Sequence, residues 1–440
     1  LALARTAPHE SVRHFLAARI PEALGHGFSH GVLPHVRHKT ARPVRRLALH
    51  DRYVERGARF VSLSGWEMPN WFDPQGDLPA VECRYERPPL FHRGEAEHRA
   101  TRSSVALFDK SFMGKFLVQG ADAERVLNRV SANSVSVPVG RNVYTQWLNA
   151  QGGIVADLTI TRLDAQSFML FTGDVLQRFT PGWLRQHTPA GAHCTVTDVT
   201  SAYTLLSLQG PQSRELLQAL TGADLSSERV PFRGGAEVEL GFARVRLQRV
   251  TYMGELGYEL CIPAEYSHTA YDALVQGGDR LGQPLVHAGL MALEGLRLEK
   301  GYRDFAVDID NTDTPLEAGL GFVVDFDKGD FIGRDALLAQ KAGGPLKRRM
   351  VQCLLQDPEP LLYGHEPILC DGRVCGYVRA GAFGHTLGAS VGLGMVELDA
   401  TVSAEALRNH PFSIEVNDRL VPATVSLTPL YDPRSDRVRV

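Results

Sequence analysis

A carboxylate set just beyond a glycine turn is the first candidate for chemistry in this 440-residue chain. Asp157 follows Gly152-Gly153 and sits among Ile154, Val155, Leu158 and Ile160, in a stretch that reads as a strand. Burying an unpaired carboxylate among such residues is costly. Asp157 therefore either faces water at a strand edge or works as a general base or charge stabiliser in a site. Glu255 lies in the glycine-flanked loop Tyr252-Met253-Gly254-Glu255-Leu256-Gly257-Tyr258. It is either solvated or a fixed acceptor for paired N–H donors of a ligand. Arg297 and Glu299 end a helix expected over Ala288 to Lys300, before the polar run Lys300-Gly301-Tyr302-Arg303-Asp304. An ordinary solvated helix face would look the same.

Other chemistries find less support. No Gly-x-x-x-x-Gly-Lys-Ser/Thr occurs, and no Gly-x-Gly-x-x-Gly opens a βαβ unit, so no dinucleotide cradle is expected. No serine-hydrolase site is expected either. His26 and His30 are spaced i, i+4, but Gly25, Gly27 and Gly31 argue against a helix carrying them, and no cysteine stands near them. No metal site is expected. The six cysteines are scattered and form no Cys-x-x-Cys. A disulfide framework is not expected, and the compartment reads as reducing. Cys370 and Cys375 flank the hairpin turn Asp371-Gly372, as strand residues or as a redox pair.

The elements that must position these residues are mixed. Lys115 to Val118 reads as a strand, Gly120 as a turn and Asp122 to Val130 as a helix striped by Val126, Leu127 and Val130. The same order returns as Leu205 to Leu208, Gly210 and Ser213 to Leu220, with Leu216, Leu217 and Leu220 in the matching places. An internal duplication is the expectation. Residues 61–100 have little periodicity and read as a loop segment anchored by Trp66, Trp71 and Phe72. Beyond Ala342-Gly343-Gly344-Pro345 come short strands separated by turns, as in a small β-barrel or sandwich. The fold class expected is α+β, ending in an all-β unit.

Composition narrows the partners. Hydrophobic residues make up 44% and charged residues 22%, with a net charge of −3. No broad field exists to attract nucleic acid or anionic lipid. No apolar run reaches the roughly 18 residues that a membrane span needs. The chain opens on Leu1, not Met, and reads as processed or as part of something longer.

Taken in order, these segments resemble one superfamily. They are Phe108-Asp109-Lys110-Ser111, Asn149 to Leu158, Leu208 to Pro211, Thr251 to Leu260, Leu296 to Lys300 and Thr314 to Leu320. Their succession is similar to that of the glycine-cleavage T-protein (aminomethyltransferase) superfamily, above all the C-terminal half of sarcosine and dimethylglycine dehydrogenases. Gly65-Trp66-Glu67-Met68-Pro69-Asn70-Trp71-Phe72 resembles a segment of the same branch, with Met68 where that branch has arginine. The resemblance implies a three-lobed T-protein fold with a C-terminal β-barrel. It implies a connector over residues 1–99, like the end of a flavin oxidase half, a folate-binding domain over 100–342 and the barrel over 343–440. Tetrahydrofolate is the implied cofactor, with no FAD site in this chain. Asp157 matches the family's catalytic aspartate, Glu255 a pterin-holding glutamate, Tyr252 a pterin-pocket residue, and Arg297 a residue of the folate site or one that fixes the channel wall. The implied activity moves a one-carbon unit from an N-methylated amine to folate, with a flavoprotein partner or a missing flavin half. A non-catalytic regulatory or assembly subunit is the alternative. The implied compartment is the cytoplasm, or the mitochondrial matrix in a eukaryote.

Overall fold

A computed structural model describes residues 44–76, 85–88 and 90–440. His26, His30 and Cys83 lie outside the described residues. Two lobes repeat one topology. In the first, strand Gly114–Gln119 leads through helix Ala123–Val130 to the meander Asn142–Leu148, Ile154–Arg162 and Ser167–Thr172, whose last strand returns to pair with the first. In the second, strand Tyr203–Gln209 leads through helix Ser213–Thr221 to the meander Gly235–Leu240, Ala243–Gln248 and Gly257–Pro263, and the last strand again pairs with the first. The expected stripe is what packs: Ala123, Val126, Leu127 and Val130 are buried in one helix, and Ser213, Leu216 and Leu217 in the other.

The lobes also exchange a strand. Ala106–Asp109 precedes the first lobe in the chain yet pairs with Tyr203–Gln209 of the second. Thr195–Asp198 precedes the second yet pairs with Gly114–Gln119 of the first. Five- and six-stranded sheets result, the latter closed off by Val286–His287. The exchange locks the lobes together through main-chain hydrogen bonds.

Gly120 and Gly210 make the repeated turn at φ 134° and 124°. A Cβ on Gly120 would overlap the His193 carbonyl, and one on Gly210 the Ser104 carbonyl. Gly120→Ala is therefore expected to lower the unfolding free energy by at least about 1 kcal/mol, read as a shift of the urea midpoint.

The third lobe is a closed six-stranded barrel in the order Arg348–Leu355, Ala389–Glu397, Arg373–Gly384, Pro367–Cys370, Phe412–Val416 and Arg419–Ser426. Cys375 falls at the register shift between Pro367–Cys370 and Arg373–Gly384, and both Cys370 and Cys375 are free thiols.

One expectation is corrected. Residues 61–100 hold strand Trp66–Phe72, in a small sheet with Ala58–Leu63 and Arg45–Arg46, and helix Phe91–Ser103. That helix buries Gly94, Glu97, His98, Thr101 and Arg102, a polar stripe at helical spacing that apolar periodicity does not register. Its Glu97 carboxylate accepts the N–H groups of Phe72 (2.7 Å) and Gly289 (2.9 Å), tying the N-terminal sheet to the start of helix Leu290–Glu299.

Candidate functional site

The lobes and the N-terminal sheet meet around a cavity of about 720 Å³. Each contributes to the wall: Asp157 from the first lobe, Glu259 from the second, Phe383 from the barrel and Val61 from the N-terminal sheet.

Antiparallel register sets the environment of Asp157. Gln146 stands directly opposite it on the neighbouring strand, and Tyr144 lies two residues further along on the same face. Gln146 Nε2 donates to Oδ1 at 2.7 Å and the Tyr144 hydroxyl to Oδ2 at 3.1 Å. Burial raises the Asp157 pKa to about 7, against the pull of these two donors and of Arg303. A carboxyl titrating there can both take and return a proton near neutral pH.

Tyr252 also lines the cavity. Its hydroxyl donates to the Arg303 carbonyl at 2.8 Å, and its ring lies nearly parallel to that of Tyr302, at 10° and 6.0 Å between centroids. Lys110 Nζ lies over the Tyr252 ring, 5.5 Å from its centroid, and donates to the Glu259 carboxylate at 2.5 Å. Lys110 and Glu259 also line the cavity.

Glu255 and Arg297 stand elsewhere. Glu255 is buried behind the wall, held by Arg437 Nε at 3.0 Å, Arg102 Nη1 at 3.3 Å and the Tyr431 hydroxyl. Its carboxylate is turned to these partners and does not line the cavity. Arg297 is fully buried and donates to Glu294 (2.7 Å), Asp308 (2.6 Å) and the Tyr302 carbonyl (3.1 Å). It braces the segment carrying Tyr302 to Asp304, which lines the cavity, without lining it itself. Glu299 is no solvated residue. Burial alone would raise its pKa, but His98 and Arg102 hold it down at about 2.

Sequence reasoning passed over Glu259. It lies among Tyr258, Leu260, Cys261 and Ile262, and the argument that singled out Asp157 applies to it unchanged. Gly388-Ala389-Ser390-Val391-Gly392 has the spelling of a nucleophile elbow. Ser390, however, lies within strand Ala389–Glu397, and its hydroxyl donates to the Pro360 carbonyl at 2.8 Å. Among the described residues, Cys370, Asp371 and His410 form one group of potential metal donors on the barrel, outside the cavity, where His410 already bonds Asp371 at 2.7 Å.

Residues 49–328 match the GCVT N-terminal domain, and residues 348–432 match the glycine cleavage T-protein C-terminal barrel domain. The chain belongs to the glycine cleavage T-protein family. An aminomethyltransferase of Halothermothrix orenii is 33% identical over 378 residues, covering 85% of this chain and 98% of that protein. The crystal structure of glycine cleavage system aminomethyltransferase T from Bartonella henselae superposes with a TM-score of 0.74 at 26% identity, over 89% of this chain and 99% of the other. A formaldehyde-forming 4-methylaminobutanoate oxidase of Paenarthrobacter nicotinovorans is 38% identical over 99% of this chain. The chain spans 52% of that oxidase and 48% of a mouse mitochondrial sarcosine dehydrogenase, about half the length of each. The three-lobed T-protein fold and its terminal barrel are thus established. Among the described residues no helix is long and apolar enough to cross a membrane.

Proposed function

We propose that the cavity binds tetrahydrofolate and that this T-protein module transfers a one-carbon unit to it from an N-methylated amine of the sarcosine or dimethylglycine type. A flavoprotein partner, or a flavin-binding half of a longer chain, would supply the carbon in oxidised form. The observation that carries this reading is Asp157, a carboxyl held by two donors on a cavity wall with its pKa at about 7.

The residues present fit the cofactor. The volume lies within the roughly 300–1,000 Å³ usual for small-molecule sites. A pterin presents a ring N–H and an amino group side by side, which a carboxylate accepts as a charge-assisted pair. Glu259 on the cavity wall would be that acceptor, with Lys110 steadying it and the parallel rings of Tyr252 and Tyr302 also on the wall. When bound, folate supplies the weakly basic nitrogen that receives the carbon. Asp157 takes the proton that this nitrogen gives up, or offsets positive charge developing beside it. Gln146 and Tyr144 keep the carboxyl aimed.

A second reading is the non-catalytic subunit, because a mouse pyruvate dehydrogenase phosphatase regulatory subunit is 32% identical over 98% of this chain. The open cavity with a carboxyl poised near neutrality favours the transferase. Calorimetric titration with tetrahydrofolate separates the two. Glu259→Gln is expected to weaken binding by about 1.5–3 kcal/mol, the worth of a hydrogen bond to a charged group. Glu255→Gln should leave the affinity nearly unchanged. A chain that binds no folate supports the second reading, and equal affinities for wild type and Glu259→Gln remove Glu259 from the site.

A further inference from the structure

Arg233 lines the cavity and is half-buried. Among the described residues its guanidinium meets no carboxylate and no hydrogen-bond acceptor, only the Phe232 ring at 5.6 Å. The other cations on the wall are engaged: Lys110 with Glu259, Lys300 with Asp432 and Arg303 with the Ala318 carbonyl. Leaving a cation partly desolvated and unpaired is unfavourable.

The backbone adds to that cost. Arg233 has φ 65°, a left-handed conformation uncommon outside glycine, although Gly234 and Gly235 follow it directly. Both of its main-chain groups are committed, and to different lobes. Its N–H donates to the Arg249 carbonyl at 2.9 Å, and its carbonyl accepts from Asn142 N at 2.8 Å. The preceding carbonyl, of Phe232, accepts from Arg141 Nη1 at 2.8 Å. The arginine is therefore pinned at the seam between the sheets. Burial lowers its pKa, and the groups whose charges bear most on it are Arg141, Tyr144, Tyr302 and Arg439. Tyr144 is the residue that also bonds Asp157.

We propose that Arg233 is a carboxylate-binding residue of the cavity, receiving either the glutamyl end of folate or the carboxylate of an amino-acid donor. The guanidinium fork matches a carboxylate in paired hydrogen bonds. A rigid backbone directs it before the ligand arrives, so little ordering is left for binding. This inference rests on the reading that the cavity takes folate.

The test uses the full chain and calorimetry with two pteridines, tetrahydrofolate and tetrahydropteroyl methylamide, which ends in an uncharged amide. Wild type is expected to bind tetrahydrofolate about tenfold or more tightly than the amide. Arg233→Asn should abolish that preference, and Arg233→Lys should restore part of it. Arg233→Gly, which suits the positive φ, should show the same loss with an unfolding temperature no lower than that of wild type, so that misfolding is not the cause. If the folate preference survives but sarcosine loses a similar advantage over methylamine in the folate-loaded protein, the carboxylate is that of the donor. If neither ratio changes in Arg233→Asn or Arg233→Gly, the proposal is overturned. A wild type that binds neither pteridine removes the folate reading itself, and this subsite with it.

Discussion

Asp157→Asn is expected to slow one-carbon transfer by about 10²–10⁴-fold, the usual reach of general acid–base catalysis, while folate affinity stays nearly unchanged. The amide keeps the shape and can still bond Tyr144 and Gln146, but it neither accepts a proton nor balances a developing positive charge. The measurement is formation of methylenetetrahydrofolate from formaldehyde and tetrahydrofolate, above the uncatalysed rate, across pH. With the Asp157 pKa at about 7, the wild-type rate should rise as pH passes through that value and the carboxylate forms. The variant should lack this limb. Stability has the opposite sign. The fold favours the protonated carboxyl, so its ionisation costs stability as pH climbs from the ordinary carboxylate range of about 4 towards 7, and the loss is complete above that. Urea midpoints of Asp157→Asn should fall less than those of wild type between about pH 5 and 8. An unchanged rate and an unchanged pH profile would refute the assigned role.

Arg102→Leu is expected to destabilise the fold by about 3–5 kcal/mol, the cost of removing one partner from a buried ion pair. Its guanidinium lies at the centre of a buried network. It donates to Glu299 (2.8 Å), Glu255 (3.3 Å) and the carbonyls of Met253 (2.5 Å) and Leu296 (3.3 Å). Without it two carboxylates lose a cation in a place that water does not reach. The effect should register as a lower urea midpoint with the slope unchanged. A loss under about 1 kcal/mol would show that His98 and Arg437 suffice to hold the two acids.

Much of this architecture was legible because it is written in apolar spacing. The strand–glycine–helix unit repeated with its leucines in place, and the barrel strands stood out between turns. The exchange of Ala106–Asp109 and Thr195–Asp198 was not legible, since a strand's own pattern does not say which sheet it joins. Helix Phe91–Ser103 was missed because its buried face is polar, and Glu97, His98 and Arg102 find their partners Gly289, Glu299 and Glu255 far along the chain. The same cause separates Glu255 from the cavity. A glutamate in a glycine loop reads as accessible, yet Arg102 and Arg437 reach it from 153 and 182 residues away. Four residues later Glu259 reaches the cavity wall instead. Asp157 stood out as a carboxylate out of place in an apolar strand, and it lies on the cavity wall. Its donors Gln146 and Tyr144 follow only from register, which the sequence of one strand does not contain.

On the proposed function, Asp157 faces the reacting nitrogen of a folate held between the lobes. Carbon-13 NMR of its carboxyl, titrated with and without saturating tetrahydrofolate and assigned by its absence in Asp157→Asn, addresses this most directly. The expected result is a midpoint near 7 in the free protein and a clear shift of that midpoint in the complex. A carboxyl titrating at an ordinary value of about 4, or one indifferent to the ligand, would contradict it.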